Sequence, residues 1–213
     1  LLNGKRFDKG GYILTYDYDK WSFIDPKEAQ KKLNLPRNPR DYTSIAVTTD
    51  DSNDEIVYAS SMGDGVIQYK NGTPVQSYNE KNAFKETAGG YGSGYCYIDG
   101  LAFDKNGNLW MTSSEVNHAV LVLDKAGAWH RLDIEQLRGV YTINDILIPS
   151  TNDKWIYVPR NTPKLVMIPN SESLDEVSSY EFTTLIDTDG KELTPSNYTC
   201  VAEDKDGYIW VGT

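Results

Sequence analysis

The chain has 213 residues, 39% hydrophobic, 12% aromatic and 24% charged, with 17 Gly, 9 Pro and 2 Cys. That balance belongs to a globular protein with enough apolar material for a core, and it excludes intrinsically disordered, collagen-like and disulfide-scaffold classes. A net charge of −10 argues against nucleic acid and anionic membrane surfaces as partners, and no apolar run reaches the roughly 20 residues of a bilayer span.

The chain opens Leu1-Leu-Asn-Gly-Lys-Arg6, without Met and without the shape of a signal peptide, so a segment cut from a longer protein is expected. Tyr12–Tyr16 and Trp21–Ile24 read as two short strands. Asp25 followed by Pro26 supplies an N-cap and a first helical position, which predicts a helix over Pro26–Leu33, ahead of the irregular Asn34-Leu-Pro-Arg-Asn-Pro-Arg40. Four strands follow at Thr43–Asp50, Glu55–Ser60, Val66–Lys70 and Val75–Tyr78. Then comes a long connection, Asn79–Tyr97, that carries Gly89-Gly-Tyr-Gly-Ser-Gly-Tyr-Cys-Tyr97.

Further strands are expected around Leu101–Phe103 and Leu109–Thr112, at His118–Asp124 and, after a turn at Lys125–Gly127, at Ala128–Leu132. A third set comprises Ile143–Ile148, Trp155–Pro159, Leu165–Ile168 and Tyr180–Leu185, and the chain finishes on Thr199–Asp204 and Tyr208–Thr213. Cys96 and Cys200 lie about a hundred residues apart with no zinc-site spacing, which favours two small buried side chains.

These strands fall into a repeat. Leu101-Ala-Phe-Asp-Lys-Asn-Gly-Asn-Leu-Trp110 and Val201-Ala-Glu-Asp-Lys-Asp-Gly-Tyr-Ile-Trp210 share one pattern, with weaker copies at Ile45–Ser60 and Ile146–Val158. Taking Val57, Trp110, Ile156 and Trp210 as equivalent, the spacings are 53, 46 and 54 residues, near the roughly 40 to 50 of four-stranded propeller blades. In the Asp-Lys-Asn-Gly turn the Asp can bond the backbone two residues ahead while the Gly takes the left-handed position that closes a hairpin. The expected fold is therefore all-β: a β-propeller of four-stranded antiparallel blades in one domain, with about four blade equivalents. The segments are outer strands in 1–24, blades at 43–78, 98–132 and 143–185, and inner strands at 198–213. Because rings of six to eight blades are common, an arc of a larger propeller is preferred to a closed ring of four.

The run Ala202-Glu-Asp-Lys-Asp-Gly-Tyr-Ile-Trp-Val-Gly-Thr213 resembles the two-component-regulator propeller repeat of bacterial periplasmic sensors. Asp99–Trp110 continuing through Val120–Asp124 to Gly127–His130, together with Ser60–Gly72, resembles the PorZ-type propellers of the type IX secretion system. The resemblance implies a non-catalytic binding or scaffold propeller at the periplasm or outer surface of a Bacteroidetes-type bacterium. Its implied partners are the proteins of a secretion or attachment complex and anionic lipopolysaccharide. The sensor relatives imply the alternative, a glycan-sensing propeller ahead of a kinase. A shared fold leaves that choice open.

If each blade is entered on its inner strand, the short Asp-turns lie at one end and the long crossovers at the other, where function usually resides. That places Arg37, Arg40, Tyr91, Tyr95, Asn117 and Arg160 as candidate ligand contacts: aromatics and arginines suit a sugar or anionic glycan. The Gly/Tyr segment is either such a recognition loop or a crossover whose tyrosines cover blade edges. It lacks the Lys-Ser/Thr ending of a phosphate loop. No hydrolase motif is present around the two histidines, His118 and His130. No catalytic residue, cofactor or metal site is assigned. Asp104–Gly107, Asp187–Gly190 and Asp204–Gly207 echo part of a calcium loop but run into strand residues, so tight hairpin turns are expected there. A metal-dependent propeller enzyme is the minority reading.

Overall fold

The computed structural model describes residues 11–84 and 94–213. The chain divides into two compact units, Leu1–Ile98 and Asp99–Thr213. Most of its strands pair antiparallel with a sequence neighbour, as hairpin-forming turns between short alternating runs require, and Met62↔Tyr97 and Gly63↔Cys96 add an antiparallel pairing between non-consecutive strands.

In the first unit, β1 (Ile13–Asp17) and β2 (Lys20–Ile24) form a hairpin in the register Ile13↔Ile24 to Asp17↔Lys20. The helix α1 (Pro26–Leu33) has the expected bounds: Asp25 accepts Lys27 N at 2.9 Å, Pro26 occupies the first turn, and Asn34 ends it in the left-handed region at φ 51°. A four-stranded meander follows, made of β3 (Tyr42–Thr49), β4 (Glu55–Gly63), β5 (Gly65–Lys70) and β6 (Thr73–Tyr78). One face of it buries Val57, Ala59, Ile67 and Tyr69 against Ile13 of the hairpin and Ala29 of the helix. Tyr42 and Tyr69 share a hydroxyl hydrogen bond of 2.7 Å within that core. The hairpin's other face, with Leu14, Tyr16, Trp21 and Phe23, is exposed.

The strand β7 (Cys96–Phe103) opens the next meander, continued by β8 (Leu109–Ser113), β9 (Val120–Leu123) and β10 (Trp129–Leu132). A further four-stranded sheet comprises β11 (Ile146–Leu147), β12 (Lys154–Val158), β13 (Lys164–Ile168) and β14 (Tyr180–Phe182). Two hairpins complete the second unit: β15 (Leu185–Ile186) with β16 (Glu192–Leu193), and β17 (Cys200–Glu203) with β18 (Ile209–Gly212).

Strand periodicity explains how these sheets stack. Along β12, Ile156 and Val158 join Val166 and Ile168 in a core shared with Trp110, Val120 and Val122 of the preceding sheet. The intervening Trp155 and Tyr157 point the other way, toward Tyr198, Val201 and Val211. Alternate residues of one strand thus serve two sheet interfaces, as a sheet covered on both faces demands.

The turns follow one chemical rule. Asp104 Oδ1 accepts Asn106 N and Asn108 N at 2.9 Å each, and its Oδ2 accepts the Trp110 indole N–H at 2.9 Å. Asp204 repeats this with Asp206 N, Tyr208 N and Trp210 Nε1 at 2.9, 3.0 and 2.7 Å. Asp124 binds Ala128 N, and its second oxygen meets His130 Nε2 at 3.0 Å, six residues on as in the tryptophan copies. Asp187 bonds Asp189 N and Lys191 N. The calcium-like tetrapeptides are hairpin turns whose carboxylates are engaged by N–H donors.

Two expectations are corrected. The segment Tyr180–Leu185 is split, since only Tyr180–Phe182 joins the third blade and Leu185 begins a separate hairpin with Leu193 opposite. Cys200 is exposed, whereas Cys96 is buried, and both thiols are free. The repeat-equivalent tryptophans also differ, Trp210 being 66% exposed and Trp110 2% exposed. The exposure of Cys200 and Trp210 has one cause: Val201 and Val211 face the third blade, so Cys200, Ala202 and Trp210 fall on the opposite face of a two-stranded hairpin.

Asp104→Ala strands a buried indole N–H and two turn amides, so a stability loss of about 2–4 kcal/mol is expected. Asp204→Ala, at an exposed tryptophan, should cost far less. Urea unfolding of the two variants checks the difference, and equal losses would contradict the role given to burial.

Candidate functional site

In the first unit the left-handed Asn34 turns the chain out of α1, with Leu35 N bonded to Gln30 O at 2.9 Å, and launches Leu35–Arg40 across the end of the sheet. Here the β4–β5 turn presents Asp64, its own N–H tied to Ser61 Oγ at 2.8 Å. Arg37 reaches Asp64 Oδ1 through Nε at 2.7 Å and through a terminal guanidinium nitrogen at 2.6 Å, and Arg40 Nε lies 3.7 Å from Oδ2. Two guanidinium groups therefore surround one carboxylate. Gly65, at φ +78°, cannot be replaced: a Cβ there would lie 2.1 Å from Tyr78 O. The Tyr95 ring packs so closely on Gly63 that a Cβ would approach it to 2.6 Å.

These elements enclose a groove of about 290 Å³, lined by Pro36, Arg37, Asp64, Ser77, Lys81 and Tyr95 among others. Arg37 keeps 47% of its side-chain surface exposed and so remains reachable. Burial pushes the Cys96 thiol up to about 12, with the carboxylates of Glu80 and Asp64 adding to the effect.

The second unit has its own cavity, of about 390 Å³, at the corresponding strand ends. Pro159 and Arg160 come from the β12–β13 loop, Thr142 and Asn144 from the entry to β11, and Asn197, Tyr198 and Thr199 from the entry to β17. The Asn144 side-chain amide donates to Tyr157 OH at 2.9 Å, and the Tyr198 hydroxyl donates to Phe182 O at 3.2 Å. After Arg160 the backbone is strained, with Thr162 at φ 137°, a region that β-branched residues rarely enter.

Nearby, Asp99 is pushed well above the usual carboxylate range by burial, although Ser114 Oγ donates to it at 2.8 Å. Asp145 is raised by burial as well. Among the described residues no group of three or more His, Cys, Asp or Glu is arranged to hold a metal ion.

The structure thus brings Arg37, Arg40 and Tyr95 together and gives Arg160 a separate setting. Asn117 is exposed in the loop between β8 and β9 and lines neither cavity. Tyr91 lies outside the described residues. Sequence reasoning assigned no role to Asp64, Lys81, Asn144 or Asn197. Each of these sits next to a strand boundary, so its place at the crossover end was readable, but which crossovers converge depends on strand order across the sheets.

The two ends of the blades are as expected within each unit. Lys125 N bonds Asn108 Oδ1 at 3.1 Å, joining the β7–β8 and β9–β10 turns at one end. The Asp64 turn and the Arg37 crossover meet at the other end of their own sheet.

With this geometry in place, the likeness to known proteins can be stated. Residues 192–213, which contain β16 and the β17–β18 hairpin, match the model of the two component regulator propeller. The chain carries that repeat. PorZ, an essential bacterial surface component of the type-IX secretion system of Porphyromonas gingivalis, aligns with a TM-score of 0.81 and 20% identity over 95% of this chain. The extracellular domain of BT3049 from B. thetaiotaomicron, described as a hybrid two component system, aligns with a TM-score of 0.51 and 19% identity over 79% of the chain. The alignments cover 28% of the PorZ chain and 20% of the BT3049 chain, so this chain spans less than a third of either. No curated protein matches the sequence. The likeness at this identity is one of fold: a β-propeller of four-stranded antiparallel blades, PorZ-like in its arrangement.

Two outcomes follow from the buried acids. With its pKa near 12, Cys96 is only about one part in ten thousand thiolate at pH 8, so a thiol reagent should label exposed Cys200 in the native protein and reach Cys96 only after unfolding. Because Asp99 binds its proton more tightly in the folded state than in the unfolded one, stability should fall as pH rises from about 4 toward its raised value. Asp99→Asn should flatten that decline in thermal melts; an unchanged slope would remove Asp99 as its source.

Proposed function

We propose that the chain is a non-catalytic binding propeller of a bacterial surface or periplasmic protein, PorZ-like, assisting type IX secretion and the attachment of cargo to anionic lipopolysaccharide. The observation that carries this reading is the groove of the first unit, where Arg37 and Arg40 surround Asp64 beside the Tyr95 ring. Arginine matches planar oxyanions through paired N–H donors, and a fixed aromatic face gives a sugar ring a surface to lie on. Arg37 is exposed enough to exchange Asp64 for a ligand carboxylate or phosphate, while Arg40 keeps Asp64 compensated. The fold shared with PorZ supports the assignment to a surface complex. Partner proteins would meet the same loop-bearing end.

The regulator repeat and the fold shared with BT3049 favour a second reading, a glycan-sensing extracellular propeller of a hybrid two-component system. The parent gene separates the two: a membrane span followed by a kinase supports the sensor, and a secretion-complex architecture supports the first reading.

Calorimetric titration of the purified protein with lipopolysaccharide and its isolated anionic glycan should give saturable binding. Arg37→Ala should weaken it about tenfold or more, the loss expected of a charge-assisted hydrogen bond. Turnover of a polysaccharide without stoichiometric binding, or full affinity in the variant, would reject this assignment.

A further inference from the structure

The cavity of the second unit holds two polar groups that the other described residues leave unmatched. Arg160 is exposed at the cavity wall, and among the described residues its guanidinium makes no hydrogen bond or ion pair. Asn197 Oδ1 is buried and has no hydrogen-bond partner among them. A buried acceptor without a donor is costly, and most such groups in folded proteins are matched by something. Both belong to the set that lines one cavity, together with the hydroxyl-bearing Thr142 and Thr199 and the amide of Asn144, itself fixed by its bond to Tyr157.

The lining chemistry narrows the ligand. Arg160 is the only charged residue among the cavity's described lining residues, so one anionic group is called for there. Asn197 Oδ1 asks for a donor, and it is a carbonyl oxygen that an ammonium group satisfies well. A ligand with a carboxylate alone would leave that oxygen unmet. A zwitterion meets both groups and carries no net charge. The volume, about 390 Å³, falls at the lower end of small-molecule sites and suits a compact ligand. The strained backbone at Thr162 holds the loop that carries Arg160 in an unusual path at the cavity mouth.

We propose that this cavity binds a free α-amino acid, its carboxylate paired with Arg160 and its ammonium group donating to Asn197 Oδ1. The pairing is two-pointed: Arg160 offers a fork of donors to the carboxylate, while Asn197 with the neighbouring threonine hydroxyls receives the ammonium. The side chain of the ligand would lie along Pro159 and Tyr198. This site is independent of the glycan groove, since it uses other residues in the other unit.

The test is calorimetry on the 213-residue protein with each free L-amino acid, followed, for the tightest binder, by its α-hydroxy acid and its carboxamide. One or more amino acids should bind stoichiometrically. The hydroxy acid, which lacks the ammonium, and the carboxamide, which lacks the carboxylate, should each bind at least about tenfold more weakly. Arg160→Leu and Asn197→Leu should abolish binding. Asn197→Asp should retain or strengthen it, because a carboxylate accepts from an ammonium group at least as well as an amide oxygen does. Circular dichroism and melting of each variant confirm that it is folded. No binding by any amino acid, equal binding of the hydroxy acid, or loss of binding in folded Asn197→Asp would overturn the proposal.

Discussion

The architecture depends on the carboxylates of Asp50, Asp104, Asp124, Asp187 and Asp204, each at the base of a hairpin turn. Asp104 and Asp204 each close a turn with one oxygen and fix a tryptophan six residues later with the other. The turn and the second strand are thereby locked to one register, and in a strand a slip of one residue would move every side chain to the wrong face. In the first unit the same position is filled by Asp50, which bonds Ser52 N and Asp54 N and receives Lys70 in place of an indole. The surrounding charges hold Asp50 and Asp54 below the usual carboxylate range and Lys70 above its own. In these three hairpins the aspartate is the constant part and the donor that answers it varies, whereas the blade of β11 and β12 has Ser150 at that position.

This turn is why the blades could be read from the sequence. The Asp, Gly and Trp of the two sharp copies are local in sequence, so their spacing alone gives turn, register and strand. The helix over Pro26–Leu33 was legible for the same reason, its signals being an N-cap and a proline. What could not be read is set by partners distant in the chain. Nothing within Ala202–Thr213 says that Trp210 is exposed where Trp110 is buried, because Trp110 owes its burial to β9, β12 and β13. The same holds for Cys200. Its sequence setting resembles that of Cys96, and only the face on which it falls distinguishes the two.

The candidate sites were legible to a similar degree. Knowing that crossovers gather at one end was enough to select Arg37, Arg40, Tyr95 and Arg160, yet grouping them required the sheets. Arg37 and Arg40 converge because the chain leaves α1 directly over the β4–β5 turn, where a residue flanked by two glycines projects its carboxylate. Asn197 carried no signal at all: an asparagine in Pro-Ser-Asn-Tyr reads as an ordinary loop residue until its amide oxygen is seen to be buried and unanswered.

The two ends of the second unit's blades are tied together by different bonds. At the Asp-turn end, Lys105 N bonds Asn152 Oδ1 at 2.9 Å, the Lys105 ammonium reaches Ser150 O, and Ser150 N meets Glu203 Oε2 at 2.8 Å. Three successive hairpins are stitched into a belt, so an insertion in any one of them would break bonds in its neighbour. At the opposite rim Thr112 Oγ1 donates to Asn144 O at 3.0 Å and Ser114 Oγ accepts Ile143 N at 2.8 Å, while the loop that carries Arg160 has no such bond from Arg160 among the described residues. Evolutionary drift in loop length should accordingly concentrate on that loop, which lets relatives exchange one specificity for another while both rims keep the blades in step.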